Sequence, residues 1–247
     1  MTNDFMDNIM KILLGLTTTY GSDWRRSIRE IDELQISEIA LFPTCLKAVE
    51  RKEYFLELEK TSLKSVPFTH VRTDMSRNEI NFLRDKYNCH LFNIHVDDLT
   101  EKFLSDVKDI KDEFFVENGE NYQINDVFWE IASKIGGLCV DFSHWHDYGT
   151  LRKDPAYQTF REKISKYKIG CSHLSAIRSN PVLKANLKGD TEPFYSNHML
   201  KNLHEMDYLE DYKPYLPEIC AIELSDSLTE QLKVKEYIEN NILKVRS

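Results

Sequence analysis

The chain has 247 residues, of which 41% are hydrophobic and 30% are charged, and its 32 basic and 41 acidic side chains give a formal net charge of −9 at pH 7. This length is enough for two average domains or for one α/β barrel of about 250 residues. An acidic surface repels phosphate backbones. The charge therefore argues against a nucleic-acid partner and favours a small-molecule or metal site.

The cysteines indicate a reducing compartment. There are five of them in the sequence, with no C-x-x-C pair: Cys45, Cys89, Cys139, Cys171 and Cys220. An odd number without a pairing pattern is typical of free thiols, so we expect a cytoplasmic protein. No stretch approaches the roughly 20 apolar residues of a membrane span, and the first residues lack the pattern of a signal peptide. We expect no membrane partner.

Short apolar runs with β propensity alternate with longer stretches of helical periodicity. The predicted strands are residues 11–17, 38–42, 65–71, 90–95, 114–117, 137–141, 169–173 and 219–223. The predicted helices are residues 23–34, 47–61, 76–87, 100–111, 125–135, 155–167, 196–209 and 229–243. Asp23 and the pair Ser76 and Glu79 are in position to cap the first and third helices. Eight strands and eight helices in alternation are the elements of a (β/α)8 barrel.

A doubly wound open sheet is the alternative fold. Such a sheet typically has a glycine-rich phosphate loop after its first strand, whereas here that strand continues into Thr17-Thr18-Thr19-Tyr20. The chain also has no linker rich in glycine, serine or proline. We therefore predict an α/β protein with a (β/α)8 TIM barrel that uses residues 1–247 as a single domain. The long loop at residues 175–195 is a candidate lid.

Ionisable residues end six of the eight predicted strands. In chain order they are His70, His95, Glu117, Asp141, His173 and Glu223. Parallel strands bring their carboxyl ends to one mouth of a barrel, where the active sites of such barrels lie. Charged groups at the ends of buried strands must be paired, hydrogen-bonded or bound to metal to offset their desolvation.

A divalent cation accounts most simply for three carboxylates at one mouth, because they would otherwise repel one another. The candidate ligands are Glu117, Asp141, His173 and Glu223. This oxygen-rich set suits Mn²⁺ best, with Mg²⁺, Co²⁺ or Zn²⁺ as alternatives. Cys139 and Cys171 precede two of these ligands by two residues, so we expect them to be core residues one layer deeper.

Four segments resemble the metal-site segments of the xylose-isomerase-like barrel superfamily. They are Phe115-Val116-Glu117-Asn118, Val140-Asp141-Phe142-Ser143-His144, Cys171-Ser172-His173-Leu174 and Ala221-Ile222-Glu223-Leu224. That superfamily includes sugar and sugar-phosphate isomerases, ketose 3-epimerases, inosose and dehydroshikimate dehydratases and the barrel-type apurinic endonucleases. The resemblance covers nearly the whole chain as strand order, and the D-x-x-H pair of Asp141 and His144 is its most specific part.

The resemblance implies a metal-dependent sugar isomerase or epimerase that acts on a sugar, a sugar-like polyol or a keto acid. In that branch the four candidate ligands hold one divalent cation, and Glu117 and Glu223 are the acid/base pair on opposite faces of the substrate. The chemistry is sensible in its own right, because a carboxylate base removes a proton α to a carbonyl and a second carboxylate returns it. A metal stabilises the enediolate that forms in between.

The resemblance also implies substrate-binding residues. His144 would contact substrate oxygens, and His70 and His95 are placed with it at the mouth. Arg178 would correspond to an arginine that follows the seventh-strand histidine in some epimerases, and a solvated loop arginine is the alternative. Members of the superfamily are often dimers or tetramers, so a homo-oligomer is one option and the oligomeric state stays open.

Two other functions remain open. The barrel-type apurinic endonucleases are zinc phosphodiesterases that act on abasic DNA with three zinc ions, and His70 and His95 match their extra histidines. Those enzymes need a D-x-H pair after the seventh strand, which is absent between His173 and Glu223. His198 is the nearby histidine, and we expect it to open the seventh helix. The third hypothesis is a non-catalytic barrel that only binds its ligand.

Overall fold

Parallel strands form a closed barrel in the computed structural model, which describes residues 10–185 and 189–244. The barrel strands are β1 (Lys11–Leu13), β2 (Gly15–Thr17), β3 (Ala40–Phe42), β4 (Phe68–His70), β5 (Leu91–His95), β6 (Phe114–Glu117), β7 (Gly137–Asp141), β8 (Ile169–Leu174) and β11 (Ile219–Ile222). Their order around the sheet is β1-β11-β8-β7-β6-β5-β4-β3-β2, with every neighbouring pair parallel. Because β1 and β2 are separated only by Leu14, the sheet closes on itself. The predicted (β/α)8 barrel is confirmed.

The seam of the barrel depends on Gln231, which is fully buried. Its side-chain oxygen accepts from the Gly15 amide at 2.8 Å, and its nitrogen donates to the Gly15 carbonyl at 2.9 Å. Gly15 is required here because a Cβ would lie 1.9 Å from the carbonyl oxygen of Ile222. β1 pairs with β11, whereas β2 pairs with β3, so the chain changes its strand partner at Gly15. Gln231 binds the Gly15 backbone groups at this change of partner.

We expect Gln231→Met to lower the free energy of unfolding by about 3 kcal/mol, because it leaves two buried backbone groups without partners. The volume of the side chain is nearly kept, so loss of packing contributes little. Gln158→Met is the matched control, since Gln158 is exposed and makes one hydrogen bond to the Gly149 carbonyl. Urea unfolding of both variants measures the difference, and equal stabilities would contradict this role of Gln231.

Helices surround the barrel at nearly the predicted positions. They are α1 (Trp24–Glu33), α2 (Ala48–Leu58), α3 (Arg77–Tyr87), α4 (Glu101–Asp106), α5 (Asp126–Lys134), α6 (Phe142–His144), α7 (Pro155–Lys163) and α8 (Leu228–Tyr237). Asp23 and Ser76 cap α1 and α3 as predicted, each accepting a backbone N–H with its side chain. The predicted helix 100–111 is shorter in the structure, and α6 continues into a π-helical segment, Trp145–Leu151.

The seventh helix was predicted wrongly. Residues 175–195, expected to be a loop, contain most of an antiparallel hairpin of β9 (Ala176–Ala185) and β10 (Thr191–Asn197). A 3-10 helix, Leu203–Tyr215, then leads to β11. The hairpin is held in place by the buried Asp147, whose carboxylate accepts the amides of Tyr195 and Ser196 at 2.8 and 2.9 Å. That contact joins residues almost fifty positions apart, so local sequence could not reveal it.

Apolar side chains pack on both faces of the barrel sheet. The residues that fill the barrel interior are Leu13, Ala40, Phe42, Phe68, Phe115, Cys139, Cys171 and Ala221. A larger layer lies between the strands and the helices. Cys139 and Cys171 are thus core residues as predicted, and all five cysteines are free thiols.

Among residues 10–185 and 189–244, no helix combines the length and the apolar character that a bilayer crossing requires. The predicted absence of a signal peptide concerns the first nine residues, which lie outside the described residues. The assignment of residues 1–247 to one domain stays a prediction for the same reason.

Candidate metal centre

The strand-end residues converge because the register of the barrel places them at one level. His95 is the partner of Glu117 across β5 and β6, and Asp141 is the partner of His173 across β7 and β8. Glu223 follows β11, where its amide donates to the Leu174 carbonyl at 3.0 Å. Side chains alternate across a strand, so these groups point inward, above the core residues two positions earlier.

His173 is at the centre of the cluster. Its Nδ1 lies 3.1 Å from Glu223 Oε2, 3.3 Å from Glu117 Oε1 and 4.0 Å from Asp141 Oδ2. Burial lowers the pKa of His173, but the charges of Glu117 and Glu223 outweigh burial and raise the pKa well above its usual range. A cation, whether a proton on this ring or a metal ion, is thus strongly favoured between the carboxylates.

The two glutamates respond in the opposite direction. Burial raises the pKa of Glu117, but His173, His95 and His70 together bring it well below its usual range. Burial likewise raises the pKa of Glu223, and the charges of His198 and His173 lower it to about 2. Both side chains are therefore carboxylates at neutral pH, as metal ligands and proton acceptors must be.

His70 extends the cluster on the side of Glu117. Its Nδ1 lies 3.4 Å from Glu117 Oε2, and its ring centroid is 4.8 Å from that of His95. Burial lowers the pKa of His70 to about 3, against the opposing charge of Glu117. His70 is therefore a neutral imidazole at physiological pH, the form that can ligate a metal or accept a hydrogen bond.

The two oxygens of Asp141 have different roles. Oδ1 accepts from the amide and hydroxyl of Ser143, both at 2.7 Å, and from the His144 amide at 3.0 Å. These bonds cap α6 and orient the carboxylate. Oδ2 is buried, has no hydrogen-bond partner among the described residues, and lies 3.8 Å from His144 Nε2. The capping oxygen thus holds the second oxygen toward the cluster.

The cluster fits a divalent cation. Two groups of buried side chains, each with one ligand atom within 4.8 Å of the others, meet this requirement: His70, Glu117 and His173, and Asp141, His173 and Glu223. Asp141 Oδ2, His70 Nδ1 and both ring nitrogens of His173 are buried and have no partner with hydrogen-bond geometry among residues 10–185 and 189–244. Such groups are costly to bury unless something binds them. These buried histidine and carboxylate groups could hold a metal ion.

Two further predicted residues lie outside these ligand groups. Arg178 is on β9, where its Nη2 donates to Asn197 Oδ1 at 2.5 Å. His198, expected to open a helix, instead follows β10 directly. Its Nδ1 lies 3.1 Å from the Glu223 carbonyl and 3.8 Å from Glu223 Oε2, so the hairpin brings this histidine to the cluster.

Sequence reasoning missed Asn93. It is fully buried in β5, and its side-chain nitrogen donates to Glu117 Oε2. The signal was present, because Asn93 is a polar residue inside the apolar run Leu91–His95 and two positions before His95, on the same face of the strand. A donor to the second oxygen of Glu117 fixes the orientation of that carboxylate.

Comparison with known proteins finds similar solved structures but no related sequence. No protein-family model matches this sequence, and neither does any curated protein. A crystal structure of a xylose isomerase domain-containing protein from Salmonella typhimurium LT2 is similar over 96% of this chain and 98% of that chain, with 14% identity and a TM-score of 0.45. The strand order and register establish the barrel by themselves.

Proposed function

We propose that this chain is a divalent-metal-dependent enzyme that isomerises or epimerises a sugar, a sugar-like polyol or a keto acid. The proposal depends most on one observation: two buried carboxylates, those of Glu117 and Glu223, both contact the same imidazole nitrogen. They lie 3.3 and 3.1 Å from His173 Nδ1, inside a cluster that favours a cation. Two ionised carboxylates beside one cation are what proton transfer at a carbon α to a carbonyl requires.

The metal ligands in this proposal are Glu117, Asp141, His173 and Glu223. Three oxygen donors and one imidazole suit Mn²⁺ best, and Mg²⁺, Co²⁺ or Zn²⁺ can bind the same donors. When bound, the cation supplies positive charge beside the substrate oxygens and so favours the negative charge that develops there. A carboxylate has two oxygens, so a glutamate can ligate through one and accept a proton with the other.

In this proposal the two glutamates transfer the proton. One of them takes the proton from the carbon next to the substrate carbonyl, and the electron pair of the broken C–H bond moves toward the carbonyl to form an enediolate. For epimerisation, the other glutamate returns a proton to the opposite face of the same carbon. For isomerisation, the proton returns to the former carbonyl carbon, and the proton of the neighbouring hydroxyl moves to the former carbonyl oxygen. In this proposal His144 binds a substrate hydroxyl through Nδ1, which is buried and has no hydrogen-bond partner in the described part of the chain. Burial of the site limits loss of the proton to water.

The test is exchange of substrate hydrogen with solvent. We expect the Mn²⁺-loaded protein to incorporate deuterium from D₂O at a carbon next to the carbonyl of a ketose, aldose or inosose, or of its phosphate ester. The readout is proton NMR of a panel of these sugars, and treatment with a chelator should stop the incorporation. Failure of the whole panel with metal bound would favour the non-catalytic binding barrel.

A second candidate is phosphodiester hydrolysis by a cluster of zinc ions. It is favoured by the histidines around the four proposed ligands, since His70 and His198 lie 3.4 and 3.8 Å from the carboxylates of Glu117 and Glu223. The missing D-x-H pair and the net charge of −9 oppose it. Elemental analysis and an abasic-site duplex distinguish the two candidates. Three zinc ions per chain together with cleavage would make this the function.

A further inference from the structure

A strip of three side chains leads away from the metal centre along the helical segment after β7. His144, Tyr148 and Arg152 are spaced four residues apart, so they lie along one face of this helical segment. The ring centroids of His144 and Tyr148 are 6.3 Å apart, with an angle of 29° between the ring planes. The Arg152 guanidinium lies over the Tyr148 ring, 4.1 Å from its centroid. The strip begins beside Asp141 and ends at a cation.

The strip contains buried polar atoms that have no hydrogen-bond partner among the residues the structure describes. They are His144 Nδ1, the Tyr148 hydroxyl and Arg152 Nη1. Arg178 of the hairpin lines a cavity together with Leu151, the residue before Arg152, and adds its Nε and Nη1 to these atoms. Unsatisfied donors of this kind are rare and costly in a folded protein, more so when they belong to a charged group. Tyr148 has no exposed surface at all. These atoms therefore indicate a polar ligand.

The hairpin packs against the outer end of the strip. Phe194 packs beside Tyr148 on Arg152, with 5.5 Å between its ring centroid and the guanidinium carbon, and Lys184 Nζ is 6.0 Å from the same ring. Arg152 also forms an ion pair with Glu192 of β10. A carboxylate from the hairpin is thus already bound to the cation at the end of the strip.

We propose that Arg152, the Tyr148 hydroxyl and Arg178 form an oxyanion subsite, which binds a phosphate or carboxylate group at the end of the substrate distant from the metal centre. This inference rests on the proposed function, because it takes the reacting end of the same substrate to lie at the metal centre. A guanidinium binds both kinds of oxyanion through two parallel N–H groups. Glu192 holds the position of that anionic group and is displaced by it.

The distance along the strip suits a small substrate. An α-helical rise of about 1.5 Å per residue would separate His144 and Arg152 by about 12 Å along the axis, and the π-helical turns of Trp145–Leu151 make this separation shorter. A sugar phosphate or sugar acid can span the remaining gap. The proposal therefore narrows the substrate class to the anionic members of the proposed range, such as sugar phosphates and sugar acids.

Calorimetric titration of metal-free protein tests the subsite with three matched probes: glycerol phosphate, glycerate and glycerol. We expect at least one of the two anions to bind and neutral glycerol not to bind. The anion that binds more tightly identifies the group as phosphate or carboxylate. Arg152→Met should weaken its binding at least tenfold, and Glu192→Gln should tighten it several-fold because a competing carboxylate is lost. Arg29→Met, an exposed arginine on α1, is the control for the change in net charge.

Several results would overturn the proposal. One is equal anion affinity in the wild-type protein and in Arg152→Met, provided that the near-ultraviolet circular dichroism of the variant is unchanged. Arg178→Met is the second variant if Arg152→Met does not fold, and it should also weaken binding at least tenfold. Binding that is lost in Glu117→Gln but kept in both arginine variants would place the anion at the metal centre instead. Because metal-free protein is used, a failure here is separate from a failure of catalysis.

Discussion

Glu117→Gln and Glu223→Gln should each lower the rate of deuterium exchange at the substrate carbon by about 10³-fold, within the range for loss of a general acid or base. Glutamine keeps the volume of the side chain but cannot accept the proton. Both residues are buried carboxylates whose pKa values are held below the usual range by the surrounding histidines. If the two glutamates act on opposite faces of the substrate, neither can replace the other.

The control for this experiment is Glu113→Gln. Glu113 precedes β6, at the other end of the barrel, where its Oε2 accepts from Arg84 Nε at 2.9 Å. We expect this variant to keep the wild-type exchange rate, since it changes the charge equally but does not touch the mouth. The rates are measured at saturating Mn²⁺, so that weaker metal binding is not mistaken for lost catalysis. Exchange that survives in both Glu117→Gln and Glu223→Gln would contradict the two-carboxylate mechanism.

The second large effect is on metal binding and thermal stability. At a metal concentration about 1,000 times its Kd, binding adds about 4 kcal/mol to the free energy of unfolding. For a chain of this size that corresponds to a rise in Tm of roughly 10 °C. We expect Mn²⁺ to produce a rise of this order, because it relieves the repulsion between Glu117, Asp141 and Glu223 in a buried site. Differential scanning calorimetry with and without a chelator measures it.

Asp141→Asn should remove most of the rise in Tm. The amide can still accept the capping hydrogen bonds from Ser143 and His144, but it loses the negative charge on the oxygen that faces the cluster. Asp112→Asn is the control, since Asp112 is exposed outside the site. Equal rises in the wild-type protein and Asp141→Asn would show that the metal binds elsewhere. One metal ion per chain by elemental analysis is the expected stoichiometry.

Much of the barrel could be predicted because its strands and helices are each defined by patterns of neighbouring residues in the sequence. The apolar strands are buried on both faces, and helices with clear caps such as Asp23 and Ser76 follow them. In a parallel barrel every strand ends at the same mouth, so listing the residue that ends each strand was enough to select Glu117, Asp141, His173 and Glu223. The structure places these side chains in one buried cluster.

The region after β8 could not be predicted in this way. The hairpin of β9 and β10 depends on Asp147, and the positions of His198 and Arg178 depend on the hairpin. Asn93 was missed for a different reason. Its role as a donor to Glu117 requires the register between β5 and β6, which its polar character inside an apolar strand could suggest but not define.

The sequence by itself determined the class of fold and the residues at the barrel mouth, because strands and their ends can be recognised from consecutive residues. Only the tertiary structure decided how those residues meet around His173, where the hairpin brings His198, and which buried atoms along His144, Tyr148 and Arg152 lack partners. Such contacts join side chains that are distant in the chain. Their distances depend on the packing of whole elements, which no local pattern specifies.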